Sequence, residues 1–359
     1  MDRLLSFFAR RGPHPFKVDY RLLLAWIAAV FVVVAAHFVH LGEPTLWNDE
    51  ADTAILARTV RTHGVPIAYD GRNLSVYQEC SQLGRGLLSS KLPWMQYYVG
   101  ALSQAVFGGT TFGSRFLFAL LGAASLLPMV LLLRTRVPHP LLLSTLLLLT
   151  PQVLLFNRNA RYYPIVLLLY LWLLVLWQRE GPPTRWRYVG AALLAAALFH
   201  THPFIAVGVF AALALVSLVR RHPARWLVLA AGGFGAITWG AWFQYVGSIS
   251  PEEVLPGVAL LSNAPGVWAT FFITGLWLIW RDFDYANVAP TLVWVVALGW
   301  ALARHRAALR GLVSDPLLAA IVVNLLVQAV MIAAIIGYET TGRNLADHYS
   351  PLRYMPHLV

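Results

Sequence analysis

Long apolar runs alternate with short polar connections along most of the chain. They cover residues 22–41, 92–107, 115–133, 140–156, 163–178, 188–219, 226–245, 267–280, 287–303 and 316–337. A helix needs about 20 mostly apolar residues to cross the hydrocarbon layer of a membrane, and the run at 188–219 is long enough for two. The pattern predicts an all-α polytopic membrane protein with a first transmembrane helix at 22–41 and a transmembrane helical bundle at 92–337.

The longest polar stretch, residues 42–91, follows directly after the first apolar run. Near its start, four side chains at helical spacing form one apolar face: Ile55, Leu56, Thr59 and Val60. Asn48 is a favourable N-cap, and the acidic residues that follow it suit the positive end of a helix dipole. We therefore predict a helix over 49–62 that lies along the membrane surface. A loop this long among short connections is usually functional.

Basic residues define the expected orientation. Five of them precede the first apolar run: Arg3, Arg10, Arg11, Lys17 and Arg21. By the positive-inside rule, the tail at 1–21 is cytoplasmic and the loop at 42–91 is extracytoplasmic. The terminal segment at 338–359 is then extracytoplasmic as well.

Strict alternation of the remaining runs conflicts with that rule. It would place the arginine clusters at 179–187 and 220–225 outside, whereas omitting one crossing brings them inside together with the cluster at 134–136. The run at 92–107 is short and carries Trp, Gln, Tyr and Ser side chains, a composition typical of the membrane interface. We predict that it does not cross. A second departure from strict alternation, at 267–280, keeps the arginines that follow on the cytoplasmic side.

Composition excludes several classes of protein. Of the 359 residues, 58% are hydrophobic and 12% charged, whereas about a quarter of a soluble domain is charged. This excludes a soluble enzyme, a disordered protein and a nucleic-acid-binding domain. The net charge of +11 resides largely in loops between apolar runs, which favours anionic membrane lipids as partners and no nucleic acid. Cys80 is the only cysteine, so an intrachain disulfide and a Cys-based zinc site are excluded.

Two acidic and three basic residues are candidates for chemistry. Asp49 and Glu50 either only cap the surface helix, or one of them accepts a proton from an alcohol at the membrane boundary. Lys91 closes the loop as a substrate-binding cation or as an ordinary interfacial lysine. Arg115 begins the next helix as a second such cation or as a topology marker. Arg161 lies on the predicted outer side, where arginines that mark the inside are not expected.

The pair His200 and His202 is a weak metal motif. Two histidines at i and i+2 do not share a helix face, and no third ligand is nearby. A helix break packed against polar neighbours is the favoured interpretation. Dependence on a divalent metal stays open, with Asp49, Glu50 and His202 as candidate ligands.

Four motifs within residues 46–115 suggest a family. In order they are Trp47-Asn48-Asp49-Glu50-Ala51, Lys91-Leu92-Pro93-x-x-Gln96-Tyr97, Phe107-Gly108 and Phe112-x-x-Arg115. This order resembles the GT-C glycosyltransferases that use polyprenyl-phosphate sugars, namely the protein O-mannosyltransferase and lipid A aminoarabinose-transferase group (families 39 and 83). The segments Arg161-Tyr162 and Arg353-Tyr354-Met355-Pro356 are similar to later site-facing segments of that group.

The resemblance implies a GT-C-like bundle that transfers a sugar, with inversion, from a polyprenyl-phosphate donor to a hydroxyl of a lipid, glycan or protein acceptor. Asp49 occupies the position of the base, and Glu50 would orient the acceptor or the base. The resemblance implies four cations for the donor phosphate: Lys91, Arg115, Arg161 and Arg353. Three tyrosines are candidate substrate contacts: Tyr97, Tyr162 and Tyr354. The composition and compact loops favour the bacterial inner membrane.

The sequence also departs from the family pattern. Leu92 stands where the group has proline, and the group continues with more helices beyond Arg353, which implies a fragment or a short member. A transporter or lipid flippase is the alternative function, although transporters usually place ionisable residues within their spans. Here the polar residues within predicted spans are few: His200, Asn324 and Gln328. A catalytically silent membrane scaffold is a third interpretation.

Overall fold

The computed structural model describes residues 20–69, 71–72, 74, 83–90, 92–179, 181–246 and 314–341. In these residues the chain is mostly helical, and its only β-structure is three isolated bridges in and around the first loop. The helices, in order, are α1 (Tyr20–Phe38), α2 (Asn48–His63), α3 (Met95–Phe107), α4 (Thr111–Ala124), α5 (Leu126–Leu133), α6 (Pro140–Leu148), α7 (Pro151–Asn157), α8 (Tyr163–Trp177), α9 (Arg185–Phe199), α10 (Pro203–Val219), α11 (Arg225–Val246) and α12 (Pro316–Thr341). A 3₁₀ turn covers Arg85–Leu87.

Three segments among the described residues are long and apolar enough to cross a membrane. They are Tyr20–Phe38, Thr111–Leu133 and Arg225–Val246, and the bent pair α6 and α7 would make a fourth. On α1, large apolar side chains face outward, with Phe31 71% exposed, which is costly in water and favourable in lipid. These features agree with an all-α membrane protein. The segments predicted at 267–280 and 287–303 lie outside the described residues.

The helices α8 and α10 are apolar but span only 15 and 17 residues. Helix α8 is buried on nearly all sides, as expected of a helix that is hydrophobic all round. It packs against α4, α5 and α9 and forms the centre of the main hydrophobic core. Because these helices are shorter than a full crossing requires, the crossings predicted at 163–178 and 188–219 stay predictions.

The apolar run predicted as one helix at 140–156 is broken in the structure. Helices α6 and α7 meet at an angle of 68° around Thr150 and Pro151. Proline has no backbone N–H and disfavours helical geometry in the residue before it, and Thr150 accordingly has ψ 138°. The bend is therefore encoded locally, and it precedes the segment that reaches the candidate site.

One end of the bundle gathers basic residues. The Arg136 guanidinium forms an ion pair with Asp315, 2.7 Å from Nε to Oδ2, and also donates a hydrogen bond to the side chain of Gln178. Arg220 donates to the backbone oxygen of Ser314 at the same end. These contacts bring together the ends of α5, α8 and α10 and the start of α12.

Both ends of α3 lie at the opposite end of the bundle. The Met95 amide donates to the His200 carbonyl after α9, and a three-residue connection joins Phe107 to the start of α4. This geometry agrees with the prediction that residues 92–107 do not cross. Which end faces the cytoplasm stays a prediction.

The helix predicted at 49–62 is confirmed with slightly wider bounds, as α2, and its placement along the membrane surface stays a prediction. Its N-cap is Trp47 rather than the predicted Asn48, because the Glu50 carboxylate folds back and accepts a hydrogen bond from the Trp47 amide. The helix ends at Gly64, whose φ of 78° suits glycine. Close packing on α3 depends on Gly100, since a Cβ there would lie 3.0 Å from that of Ala57.

Candidate functional site

Glu50, in the first turn of α2, is fully buried and binds four donors. Its two oxygens receive hydrogen bonds from the Arg115 guanidinium, Nε to Oε1 at 2.8 Å and Nη2 to Oε2 at 2.5 Å. The backbone amides of Ala160 and Trp47 donate to the same oxygens, at 2.7 Å and 3.3 Å. Glu50 therefore connects α2 and α4 with the segment before α8, and its carboxylate is held in place on both oxygens.

Arg115 uses every N–H group that a guanidinium carries. Besides its two bonds to Glu50, its Nη1 donates to the backbone oxygens of Leu41 and Pro44, and its Nη2 to that of Thr45. The side chain is 8% exposed. In this arrangement every N–H of Arg115 is occupied, and the residue fixes Glu50 and the backbone that follows α1. Its predicted role in donor binding stays a prediction.

Asp49, next to Glu50 in the chain, is held much more loosely. Its Oδ2 lies 3.3 Å from Nη2 of Arg161, and this is the only contact of its carboxylate among the described residues. Arg161 Nη1 also donates to the Asp49 backbone oxygen at 3.3 Å. Both side chains are buried, at 9% exposure for Asp49 and 6% for Arg161. The two neighbouring carboxylates thus differ: Glu50 is saturated, and Asp49 keeps acceptor capacity.

Arg161 is a buried cation with few partners. Its Nε has no hydrogen-bond acceptor among the described residues, and the group also lies 5.5 Å from the centre of the Tyr162 ring. Burial lowers the pKa of Arg161, but the Asp49 carboxylate and the nearby tyrosines raise it by more, so the net shift is upward. The guanidinium is therefore charged and could accept a further anion.

Tyr97 and Gln96 of α3 bring more polar atoms to the same region. Both side chains are fully buried, and neither the Tyr97 hydroxyl nor the two polar atoms of the Gln96 amide form a hydrogen bond among the described residues. Burial raises the pKa of Tyr97, and so does the charge of Asp52, while the nearby side chain of Ser89, the charge of Arg161 and the side chain of Gln96 oppose the shift. Buried polar atoms without partners cost free energy, and in native proteins they indicate water, an ion or a ligand site.

The remaining predicted residues have different outcomes. The ring of Tyr162 lies 4.5 Å from that of His202, whose Nδ1 accepts a hydrogen bond from the Ile205 amide and caps α10. Lys91, Arg353 and Tyr354 lie outside the described residues, and their roles stay predictions. In the part of the chain that is described, no three His, Cys, Asp or Glu side chains converge as a metal site requires.

The structure brings together six predicted residues from four separated segments: Asp49, Glu50, Tyr97, Arg115, Arg161 and Tyr162. Sequence reasoning did not assign roles to Gln96 or to the Ala160 amide. For Gln96, a signal was present, because it lies four residues before Gly100 on the α3 face that packs on α2. A backbone amide leaves no such signal.

Comparisons with known proteins add no further assignment. No family model, curated protein or solved structure matches this chain. The functional interpretation rests on the motifs and on the geometry of the site.

Proposed function

We propose that the chain is a membrane glycosyltransferase that transfers a sugar, with inversion, from a polyprenyl-phosphate donor to an acceptor hydroxyl. The observation that carries the proposal is the contrast between the two acidic residues. Glu50 is saturated with donors, whereas Asp49 retains free acceptor capacity beside a buried, under-bonded arginine. A general base needs that capacity, and a phosphate leaving group needs such a cation.

The proposed reaction assigns one role to each group. Asp49 accepts the proton of the acceptor hydroxyl while the oxygen forms a bond to the anomeric carbon of the sugar. The bond from that carbon to the phosphate oxygen breaks, and its electron pair leaves with the polyprenyl phosphate. Arg161 stabilises this anion in a site with little water, where electrostatic interactions are strong. Lys91 and Arg353 keep their proposed role at the phosphate, with Tyr354 beside the substrate.

Tyr97 and Tyr162 are proposed substrate contacts. The buried hydroxyl of Tyr97 can donate to a sugar or phosphate oxygen, and Gln96 can both donate and accept. Glu50 and Arg115 act as positioning residues, because Glu50 holds the Ala160 amide and with it the segment that carries Arg161. The acceptor is a lipid, glycan or protein.

The proposed location is the bacterial inner membrane, with the N-terminus in the cytoplasm and the site on the outer face. The geometry supports this orientation, since the arginine-rich connections lie at the end of the bundle away from Asp49. The transporter alternative finds less support. Asn324 and Gln328 on α12 contact the Tyr170 hydroxyl and the Ile205 carbonyl, as expected of polar side chains that join helices.

The test is sugar transfer by the full chain, purified in detergent, with radiolabelled polyprenyl-phosphate sugars and membrane extract as acceptor. Asp49→Asn should reduce turnover at least about 100-fold, as expected for loss of a general base. Asp315→Asn, which breaks an ion pair at the other end of the bundle, is the matched control and should retain activity. Equal turnover of Asp49→Asn and wild type would exclude Asp49 as the base.

A further inference from the structure

The two buried arginines of the site differ sharply in how well they are satisfied. Arg115 makes five hydrogen bonds of 2.5 to 3.1 Å. Arg161, equally buried, makes two contacts of 3.3 Å, both to the same residue, and its Nε has no acceptor among the described residues. A buried guanidinium normally needs several short hydrogen bonds to offset its loss of hydration. Arg161 can therefore bind an anionic ligand more strongly than it binds the Asp49 carboxylate.

The ion pair between Asp49 and Arg161 has the geometry of a weak interaction. A carboxylate that binds arginine well does so through two parallel hydrogen bonds of about 2.8 Å, as Glu50 does with Arg115. The carboxylate of Asp49 contacts a single nitrogen, and from a longer distance. The Nε of Arg161 is buried without an acceptor among the described residues, so it can donate to an oxygen of a ligand. The donor phosphate, a phosphodiester with two free oxygens, can engage this guanidinium with two parallel hydrogen bonds, and the polyprenyl phosphate that leaves after transfer has three free oxygens and a larger charge.

We propose that the carboxylate of Asp49 occupies Arg161 in the absence of donor and that the donor phosphate displaces it. This inference rests on the proposed function and adds to it a coupling between donor binding and the base. In the empty site Asp49 is paired with the arginine. When the phosphate takes over the guanidinium, the carboxylate is released toward the acceptor hydroxyl. Asp49 therefore becomes an available base only in a site that already holds the donor.

Substitutions in a binding site usually weaken binding, but this coupling predicts that one of them increases the affinity for phosphate. Two anions that compete for one cation weaken each other, and coupling between binding events is typically fivefold to 150-fold in affinity. Removing the charge of Asp49 should then strengthen phosphate binding. An asparagine in its place retains the size of the side chain and can still accept a hydrogen bond from Arg161.

The experiment measures the binding of farnesyl phosphate, a sugarless probe, to the full chain in detergent by calorimetry. We expect Asp49→Asn to bind the probe about fivefold or more tightly than wild type. Arg161→Gln should lose binding. Asp52→Asn removes the same charge one turn further along α2 and should change the affinity less than twofold, and Asp315→Asn should not change it. Asp49→Ser serves as a second variant, and thermal unfolding shows whether each protein is folded.

The outcomes separate the inference from the function on which it rests. Tighter binding by Asp49→Asn but not by Asp52→Asn supports displacement. If wild type binds the probe and Asp49→Asn binds it equally or more weakly, the displacement is wrong while a phosphate donor remains supported. Equal gains in both aspartate variants would indicate general electrostatics and overturn the inference. If no variant binds farnesyl phosphate, the proposed donor chemistry itself fails.

Discussion

Glu50 and Arg115 are 65 residues apart in the chain, yet they form a two-point ion pair closed to solvent. Through this pair the first turn of α2 is joined to α4, and Glu50 also holds the Ala160 amide. The loop after α1, the start of α4 and the segment before α8 are therefore fixed relative to one another. The arrangement explains how the acidic motif of the sequence becomes a fixed part of the site.

Arg115→Lys tests this arrangement. Lysine keeps the charge but lacks the planar fork, so the second bond to Glu50 and most bonds to the carbonyls of the loop are lost. We expect a loss of about 2–3 kcal/mol in the free energy of unfolding, measured by thermal or chemical unfolding in detergent. Arg58→Lys, at an exposed position of α2, is the control and should be nearly neutral. Equal stability of the two variants would show that the buried pair does not hold the segments together.

Tyr97→Phe should have opposite effects on stability and on activity. The change removes a buried hydroxyl that has no hydrogen bond among the described residues, so unfolding should cost the same or about 1 kcal/mol more. A substrate contact is lost at the same time, and transfer should fall about tenfold. Unfolding and turnover are measured on the same preparation. A variant that loses stability and keeps full activity would place Tyr97 in the structural core only.

The contact between α10 and α12 depends on Gly208. A Cβ at this position would lie 2.2 Å from Nε2 of Gln328, which donates a hydrogen bond to the Ile205 carbonyl. Gly208→Ala should therefore lower stability by about 1–3 kcal/mol through overpacking. Adding Gln328→Ala should restore part of this loss, because the smaller side chain leaves room for the new methyl group.

Gly233→Ala on α11 is the matched control, because a Cβ there would meet no atom within 4 Å. Alanine also favours helix over glycine, so this variant should be neutral or slightly more stable. Thermal unfolding of the four proteins provides the comparison. A Gly208→Ala protein as stable as the Gly233→Ala protein would contradict the close contact.

The lowered pKa of Asp315 should make the stability of the protein depend on pH. Partial burial raises its pKa, but hydrogen bonds and the charge of Arg136 lower it by more, so the folded protein has a lower pKa than the unfolded chain. The stabilisation is then fully present above the ordinary pKa of an aspartate, about 4, and is lost as the pH falls through the lower folded value. Wild type should exceed Asp315→Asn in stability at pH 7, and the difference should shrink below pH 4.

The measurement is unfolding of both proteins in urea between pH 7 and the lowest pH at which they stay soluble. Arg136→Gln should reproduce the effect, since it removes the partner that lowers the pKa. A difference between wild type and Asp315→Asn that is constant across this range would show that the ion pair is not linked to protonation.

The helical class and the position of the surface helix followed directly from local patterns. Apolar runs indicated helices, and the acidic first turn with its apolar face indicated α2, because these signals depend on neighbours in the chain. The break at Pro151 was missed within an apolar run, although proline there is a local signal for it. The prediction from charge placement that 92–107 does not cross the membrane stays a prediction.

The sequence alone thus determined the class of the protein, its membrane-like composition and a set of charged residues near one end. Only the tertiary structure distinguished Glu50 from Asp49 and Arg115 from Arg161. Whether a buried ionic group is saturated depends on donors from distant segments, including backbone groups such as the Ala160 amide, which every residue type except proline carries. Side chains of the same chemical type therefore take different roles, because long-range packing determines how many hydrogen bonds each one forms.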